Sequence, residues 1–346
     1  MKKRIGFLSF GHHSAAPGSQ ARSAGDVLTQ TIELAEAAEE LGIDGAYVRV
    51  HHFARQLATP WPLLAAMGAR TSRIELGTGV IDLRYEQPVR MAEEAAAADL
   101  IAGGRLQLGV SRGSPETALA GYEHFGLVPA AGETDADMAR RHGAEFLDAI
   151  RGARVARANP QMAGGMSGGL AVEPRSPGLD ERIWWGSGTR NTAVWAAQQG
   201  YNLQSSTLLT EDTGVPFDEL QAEQIHLFRD AWDAAGHERT PRVSVSRSII
   251  PITSDLDRAY FGRGRGEGDQ VGWLDGGVAR FGRSYTGEPD VIAAELAQDE
   301  AVRLVDTVLL TVPNQLGVEY NAHLLESIAR HVAPAIGWEP AGAAVA

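Results

Sequence analysis

The chain has 346 residues, 44% of them hydrophobic and 22% charged, which is typical of a globular protein with a large apolar core. Acidic side chains outnumber basic ones by 44 to 31, and the net charge of −13 argues against binding to nucleic acids or to anionic membranes. The absence of cysteine excludes disulfides, thiolate nucleophiles and cysteine-ligated metals.

Short apolar strands alternate with amphipathic helices along the chain, and glycines such as Gly42 and Gly200 follow the helices, where a left-handed terminator is favoured. Strands are predicted at Arg4–Phe10, Asp44–Val50, Arg73–Leu83, Arg105–Val110, Arg182–Gly188, Tyr201–Ser206, Arg242–Ile252 and Asp306–Pro313. Helices are predicted at Asp26–Leu41, Pro60–Arg70, Pro88–Ala102, Met138–Ile150, Thr189–Gln199, Phe217–Ala235 and Glu319–Val332.

Strands that alternate with helices form right-handed βαβ units around a parallel sheet. Eight such strands predict an α/β protein with a closed (β/α)₈ TIM barrel, in a single domain over residues 1–346. Two stretches, at about 115–180 and 255–285, interrupt the pattern as insertion loops. The second contains the glycine-dense run Tyr260–Ser284, which is either a surface loop or a lid over the active site.

The active site of a TIM barrel forms at the carboxyl ends of the strands. The first predicted strand leads to His12 and His13, and the second leads to His51 and His52. The fourth is followed by "GVSRGSP" and the fifth by "WWGSGTRNT". We therefore expect two histidine pairs and two glycine-rich turns to face one opening.

The turn "GSGTRNT" leads directly into a helix, so backbone N–H groups and the positive end of the helix dipole face the opening. This arrangement predicts an anion site, usually for phosphate, to which Ser187, Thr189 and Thr192 offer hydroxyl groups. Arg112 ends the neighbouring strand and can bind a phosphate through two parallel N–H donors. An ordinary capped helix start is the alternative explanation of the turn.

The histidine pairs have three interpretations. Metal binding is disfavoured because His12 and His13 lack the His-x-His spacing of barrel metal hydrolases and no histidine follows strands four to eight, so we predict no metal. The other two stay open: a structural role, with the ring nitrogens bonded to backbone groups, or contact with ligands and reacting groups.

A serine hydrolase is the alternative from another reaction class. Gly109 to Gly113 fits the G-x-S-x-G nucleophile elbow, with Ser111 as the nucleophile. Asp306 and His323 would have to complete the triad. Asp306 begins its predicted strand and His323 lies within a predicted helix, so neither suits a triad at the barrel mouth.

The block Leu63–Pro115 resembles the bacterial luciferase-like flavin monooxygenase family, most specifically in "GTGV…PVRMAEE" and "GGRLQLGVSRG". Weaker matches are "IWWGSGTRNTAVWAAQQG", "GEPDVIAAEL" and "TVPNQLGVEYNAHLLESIARHVAPAIGW". The resemblance covers most of the chain outside the two insertions. It implies a (β/α)₈ barrel, commonly a homodimer, in which reduced FMN from a separate flavin reductase reacts with O2 and a small organic substrate.

The resemblance also implies roles for individual residues in cofactor binding. Arg112 and the turn at Gly188, Thr189 and Thr192 would hold the flavin phosphate, in agreement with the anion site inferred from the turn.

Other residues would lie beside the flavin ring. Gly79–Val80 matches a position where the family often has a non-proline cis peptide, and Ser111 stands where some luciferases carry a reactive cysteine. His51 matches the catalytic histidine. The family usually has glutamate before the histidine pair, and this chain has Val50 there, so His51 is expected to have a lower pKa or an altered role.

Two further alternatives follow from the resemblance. One branch of this fold uses a deazaflavin coenzyme and transfers hydride rather than activating O2. The loss of glutamate at position 50 also allows a non-catalytic flavin-binding protein. The basic N-terminus precedes an apolar run too short for a signal peptide, and no segment has the roughly 18 uninterrupted apolar residues of a membrane span, so we expect a cytoplasmic protein.

Overall fold

The computed structural model describes residues 2–113, 117–159, 161–162, 168–211, 214–262, 268–274 and 277–341. Eight parallel strands form the barrel: β1 (Arg4–Ser9), β2 (Gly45–Val48), β3 (Glu75–Asp82), β4 (Leu106–Ser111), β5 (Ile183–Ser187), β6 (Asn202–Ser205), β7 (Val243–Pro251) and β8 (Thr307–Val312). Each strand pairs with the next in chain order, and β8 pairs with β1 to close the barrel. The predicted TIM barrel is thereby confirmed.

In the described part of the chain, eight helices surround the strands. They are α1 (Ala24–Glu40), α2 (Trp61–Arg70), α3 (Pro88–Ile101), α4 (Asp135–Ile150), α5 (Arg190–Gln198), α6 (Phe217–Ala234), α7 (Pro289–Leu296) and α8 (Gly317–His331). Two shorter α-helices cover Asp255–Phe261 and Glu300–Leu304. Single 3₁₀ turns cover Leu83–Tyr85, Gly121–Phe125, Leu179–Arg182, Asn314–Leu316 and Ala333–Ile336. None of the described helices is long and apolar enough to cross a membrane.

Side-chain caps define where several helices begin. Before α1, the amide of Asp26 donates to Ser23 Oγ at 3.1 Å, and the Asp26 carboxylate accepts from the Ser23 amide at 2.8 Å. Thr134 and Asp137 form the same reciprocal pair at the start of α4. Such capping boxes satisfy amides that the first helical turn leaves without an intrahelical acceptor.

The main hydrophobic core lies between the sheet and the surrounding helices, and a smaller cluster of Leu8, Tyr47 and Leu309 fills the barrel interior. Gly77 makes room for the Tyr47 ring, because a Cβ atom there would collide with it. Arg242 forms an ion pair with Glu75 at 2.9 Å and is within 3.3 Å of Asp306, at the amino-terminal end of the barrel. The interior is therefore filled at this end, which leaves the carboxyl ends of the strands for a ligand.

The two predicted insertions contain regular structure. The first includes α4, which packs on α3, and the short strand pair Ala156–Arg157 and Gly169–Leu170. The second includes strands Gln270–Leu274 and Gly277–Phe281, which form an antiparallel hairpin that adds to strand Leu208–Leu209. Strand Ser284–Gly287 then extends the edge of β7. The predicted glycine-dense loop is thus partly a hairpin; residues 263–267 and 275–276 lie outside the described part.

Candidate active site

A cleft of about 480 Å³ opens at the carboxyl ends of the strands. Eight of the residues that the sequence nominates for the site line this cleft: His51, Gly79, Val80, Ser111, Arg112, Gly188, Thr189 and Thr192. They follow or belong to β2, β3, β4 and β5 and the start of α5. The common polarity of parallel strands brings these residues together, although they are far apart in the sequence.

The β4–β5 side of the cleft is cationic. Arg112 follows β4, and Arg140 reaches the same cleft from α4, where its guanidinium carbon lies 5.1 Å from the Trp195 ring centroid. Thr189 caps α5 by accepting from the Thr192 amide at 3.2 Å, and its hydroxyl donates to Thr192 Oγ1 at 2.9 Å. Two guanidinium groups and a helix start therefore meet at one end of the cleft, as an anion site requires.

Two details differ from the predicted anion site. Ser187 is fully buried and donates to the Thr189 carbonyl at 2.8 Å, so it does not offer its hydroxyl to a ligand. The Glu211 carboxylate accepts from the Arg190 amide at 3.1 Å, so an internal acid already occupies one N–H of the first turn. Arg112 and Arg140 must therefore supply much of the attraction for an anion.

Gly188 leaves space beside the backbone for a bound group. A Cβ atom added there would have no neighbour closer than 3.6 Å, so packing within the protein does not demand glycine. Its backbone also lacks the positive φ that favours glycine elsewhere in the chain. Since Gly188 lines the cleft, its missing side chain leaves space for close approach of a ligand to the backbone.

The Gly79–Val80 peptide bond is cis, as the resemblance implies. Both residues line the middle of the cleft, between the ends of β2 and β4. Gln204, on β6, also lines it, and its side-chain amide donates to the Thr78 carbonyl at 3.1 Å. Gln204 is thereby bonded to the strand that carries the cis peptide.

The side chains after β2 alternate between the two faces of the sheet. Tyr47 belongs to the cluster inside the barrel, whereas Val48 and Val50 belong to the core between sheet and helices. The same alternation directs Arg49 and His51 toward the barrel mouth, and both line the cleft. Val50 is only 4% exposed. A glutamate at position 50 on this backbone would place a carboxylate against apolar neighbours.

His51 is 8% exposed, and burial lowers its pKa to about 4, with the charges of Arg49 and then His12 adding to the effect. The imidazole is therefore neutral at pH 7. A neutral imidazole can accept a proton through one ring nitrogen and donate a hydrogen bond through the other.

His52 lies on the other side of the chain, outside the cleft lining. Its ring stacks on Tyr85 with centroids 4.1 Å apart and meets the edge of Phe125 at 5.3 Å. Nε2 of His52 is buried without a hydrogen-bond partner. Phe53 completes this aromatic cluster and is half exposed. The contacts of His52 are those of a packing residue.

The other histidine pair lies beside the cleft. His12 stacks parallel to Phe10 at 6.0 Å, and its amide donates to Asn314 Oδ1 at 3.1 Å. Neither His12 nor His13 lines the cleft, whereas Phe10 does. Across the described ranges, no group of three or more histidine, aspartate or glutamate residues is arranged to hold a metal.

The hydrolase triad is not assembled. Asp306 accepts from the Val243 amide at 2.6 Å at the amino-terminal end of the barrel, and His323 lies 3.2 Å from Asp257. Ser111 does line the cleft, but its hydroxyl oxygen accepts from the Gly113 amide at 2.8 Å.

Four further residues line the cleft and were not predicted from the sequence: Arg49, Arg140, Phe10 and Gln204. The alternation of the strand that leads to His51 contained a signal for Arg49, because residues two apart share a face. Arg140 carried no such signal, since it is one of two adjacent arginines on a polar helix.

The model of the luciferase-like monooxygenase family matches residues 3–260, three quarters of the chain. The chain belongs to this family. Among curated relatives, 4-hydroxyprotoasukamycin monooxygenase of Streptomyces nodosus subsp. asukaensis is 35% identical over 41% of this chain and 36% of its own length. The oxygenase component of the flavin-dependent trigonelline monooxygenase of Acinetobacter baylyi is 31% identical over 35% of this chain and 32% of its own. The chain thus aligns with about a third of the length of these luciferase-like relatives.

Solved structures share the luciferase-like fold over nearly the whole chain. Monooxygenase RslO1 from Streptomyces bottropensis has a TM-score of 0.70 at 21% identity, covering 96% of this chain and 99% of its own. The oxygenating constituent of 3,6-diketocamphane monooxygenase from Pseudomonas putida, in complex with FMN, has a TM-score of 0.68 at 16% identity, with the same coverage. The coenzyme F420-dependent tetrahydromethanopterin reductase from Methanopyrus kandleri has a TM-score of 0.64 at 15% sequence identity, again with the same coverage of both chains. At these identities the likeness shows the fold.

The buried His52 predicts a pH-dependent stability. Burial lowers its pKa to about 4, below the value of about 6.5 for an unfolded chain, so the unfolded state binds more protons between these values. The free energy of unfolding should therefore fall as the pH drops from 6.5 toward 4. His52→Phe keeps an aromatic ring against Tyr85 but cannot titrate. In urea denaturation, the free energy of unfolding of this variant should fall less between pH 7 and pH 4.5 than that of the wild type.

The exposed His226 provides the control for this measurement, because His226→Gln should unfold with the pH dependence of the wild type. His51 also has a lowered pKa and is still present in the His52 variant, so the free energy of unfolding should still fall with pH, but by less. An unchanged decrease in His52→Phe would contradict the assignment.

Proposed function

We propose that the protein is the oxygenase of a two-component flavin-dependent monooxygenase. In this proposal a separate flavin reductase supplies reduced FMN, and O2 and a small organic substrate enter the same cleft. The main observation in support is a single cleft that is lined by Arg112 and Arg140 at one end and by the neutral His51 toward the other. The relative from Acinetobacter, which is itself named as an oxygenase component, supports the same interpretation.

The cationic end of the cleft would hold the FMN phosphate. Arg112 and Arg140 would neutralise its charge, and the glycine at position 188 would let the phosphate approach the backbone at the start of α5. Thr189 and Thr192 would add hydroxyl contacts. The flavin ring would then extend toward Gly79–Val80, in the middle of the cleft.

When bound there, reduced flavin supplies the electrons for the activation of O2. His51 would act from the β2 side, where its neutral imidazole can accept or hold a proton of the reacting groups. Its low exposure limits access of bulk water to the ring. The hairpin at Gln270–Phe281 adds to Leu208–Leu209, and Leu208 lines the cleft, so the hairpin borders the opening.

Hydride transfer to or from a deazaflavin coenzyme is the second candidate, supported by the similar fold of the coenzyme F420-dependent reductase. A phosphate-bearing coenzyme of either kind suits the cationic end. A non-catalytic flavin-binding protein is the third candidate. A homodimer and a cytoplasmic location stay predictions.

The first test is titration of the purified protein with oxidised and reduced FMN and with coenzyme F420, followed by absorbance and fluorescence. We expect reduced FMN to bind, and Arg112→Ala to weaken its binding by about 1.5–3 kcal/mol, the range for a charge-assisted hydrogen bond. The exposed arginine variant Arg90→Ala is the control and should bind FMN as the wild type does. Tight binding of F420 with none of FMN would favour the hydride-transfer candidate.

The second test concerns His51. With a generic flavin reductase and NADH supplying reduced FMN, His51→Ala should lower substrate-dependent product formation by about 10²–10⁴-fold, the scale of a general acid–base group, with FMN affinity nearly unchanged. The kcat/KM of the wild type should be insensitive to pH above about 5, since it reports the free protein, in which His51 has a pKa of about 4. A His51→Ala variant with a normal product yield would remove the catalytic assignment. Wild-type protein that binds FMN but forms no product from any candidate substrate would favour the non-catalytic alternative.

A further inference from the structure

Arg49 enters the cleft directly above the apolar filling of the barrel. Tyr47, two residues earlier, packs inside the barrel against Leu8 and Leu309, and Arg49 continues on the same face. Leu8 and Leu309 also line the floor of the cleft. Nearby apolar groups exclude water and so strengthen the attraction of the guanidinium for an anion.

Two contacts locate this arginine beside β1. The Arg49 amide donates to the Ser9 carbonyl at 2.9 Å, which anchors the backbone beside β1. The Phe10 ring centroid lies 5.0 Å from the guanidinium carbon, within the range of a cation–π contact. A guanidinium carries its N–H donors in a planar fork that matches the two oxygens of a carboxylate.

The charges that line the cleft are unlike those of the whole chain. The chain carries a net charge of −13, yet the cleft lining includes Arg49, Arg112 and Arg140. Asp82 is the one carboxylate among the described lining residues, and it is held by Arg84 in an ion pair of 2.6 Å. A cationic cleft in an acidic protein attracts anions selectively.

Arg49 is separate from the anion site at the other end. Arg112 follows β4, and Arg140 and Gly188 border the β4–β5 side, whereas Arg49 follows β2. Strand β3 lies between β2 and β4, and neighbouring strands are about 4.8 Å apart. Arginines therefore line the cleft in two regions, and a cofactor phosphate at the start of α5 would contact the region of Arg112 and Arg140.

We propose that Arg49 binds the anionic group of the substrate, so that the substrate is a small organic acid with a carboxylate or sulfonate on an apolar body. The identification of this group as the substrate's rests on the proposed function. Leu8, Leu309 and Trp185 supply the apolar surface of the cleft for the body of the molecule.

The substrate anion would also act on His51. The positive charge of Arg49 is the second largest cause, after burial, of the lowered pKa of His51. An anion bound to Arg49 offsets that charge and raises the pKa of His51 toward its ordinary value. Substrate binding would thus make the imidazole a better proton acceptor in the complex than in the free protein.

Calorimetric titration with three matched pairs tests the proposal: benzoate and benzamide, hexanoate and hexanamide, and benzenesulfonate and benzenesulfonamide. The titrations are made on the full chain with and without bound FMN. We expect the anion of at least one pair to bind at least 10-fold more tightly than its amide. Arg49→Gln should weaken the anion by about 10- to 100-fold and leave the amide unchanged, and Arg49→Lys should fall between. The bound anion should also raise the pKa of His51, measured by NMR of the imidazole.

Arg112→Ala provides the reciprocal control, because it should weaken FMN and spare the organic anion. The proposal is overturned if no pair favours its anion, if the preference survives in Arg49→Gln, or if Arg49→Gln instead weakens FMN, which would assign Arg49 to the cofactor. If FMN fails to bind while the Arg49-dependent preference persists, the anion subsite stands and the proposed flavin function fails. The two claims therefore fail separately.

Discussion

Closure of the parallel barrel is the constraint on which the site depends. Because β8 pairs with β1, all eight strands point the same way around one axis, and the residues after them meet at one rim. Tyr47 fills the interior below this rim, in space that Gly77 leaves free, and the ion pair of Arg242 with Glu75 lies at the opposite end. A ligand is therefore confined to the mouth, where polar groups are available.

The placement of charge then divides the mouth into regions with different chemistry. Arg112 and Arg140 make one end suited to a phosphate, and burial with nearby positive charge keeps His51 neutral on the β2 side. Asp82, the one acidic residue among the described lining residues, forms an ion pair of 2.6 Å with Arg84. The family's glutamate is replaced by Val50, which belongs to the buried core cluster and also lines the cleft. Arg49 lines the cleft on the same side as His51, and its charge lowers the pKa of His51.

Much of the fold and part of the site were predictable from local signals. Alternating strands and helices, with glycines after the helices, indicated the barrel, and the fixed polarity of βαβ units placed Arg112, Gly188 and His51 at one rim. Ser187 failed as a ligand candidate because its hydroxyl turns back to the Thr189 carbonyl, a bond that spacing alone does not reveal. The place of Arg140 in the cleft could not be predicted, because it depends on which face of α4 turns toward the barrel mouth. The hairpin at Gln270–Phe281 could not be predicted either, because it pairs with a strand that is distant in the sequence. Tertiary packing decides both features.

The most direct test of the central claim is a crystal structure of the protein with FMN. It should show the phosphate within hydrogen-bond distance of Arg112 and the start of α5, and the flavin ring beside Gly79–Val80 with His51 on the β2 side. A phosphate bound elsewhere, or a flavin ring outside the barrel mouth, would contradict the assignment of this cleft as the flavin site.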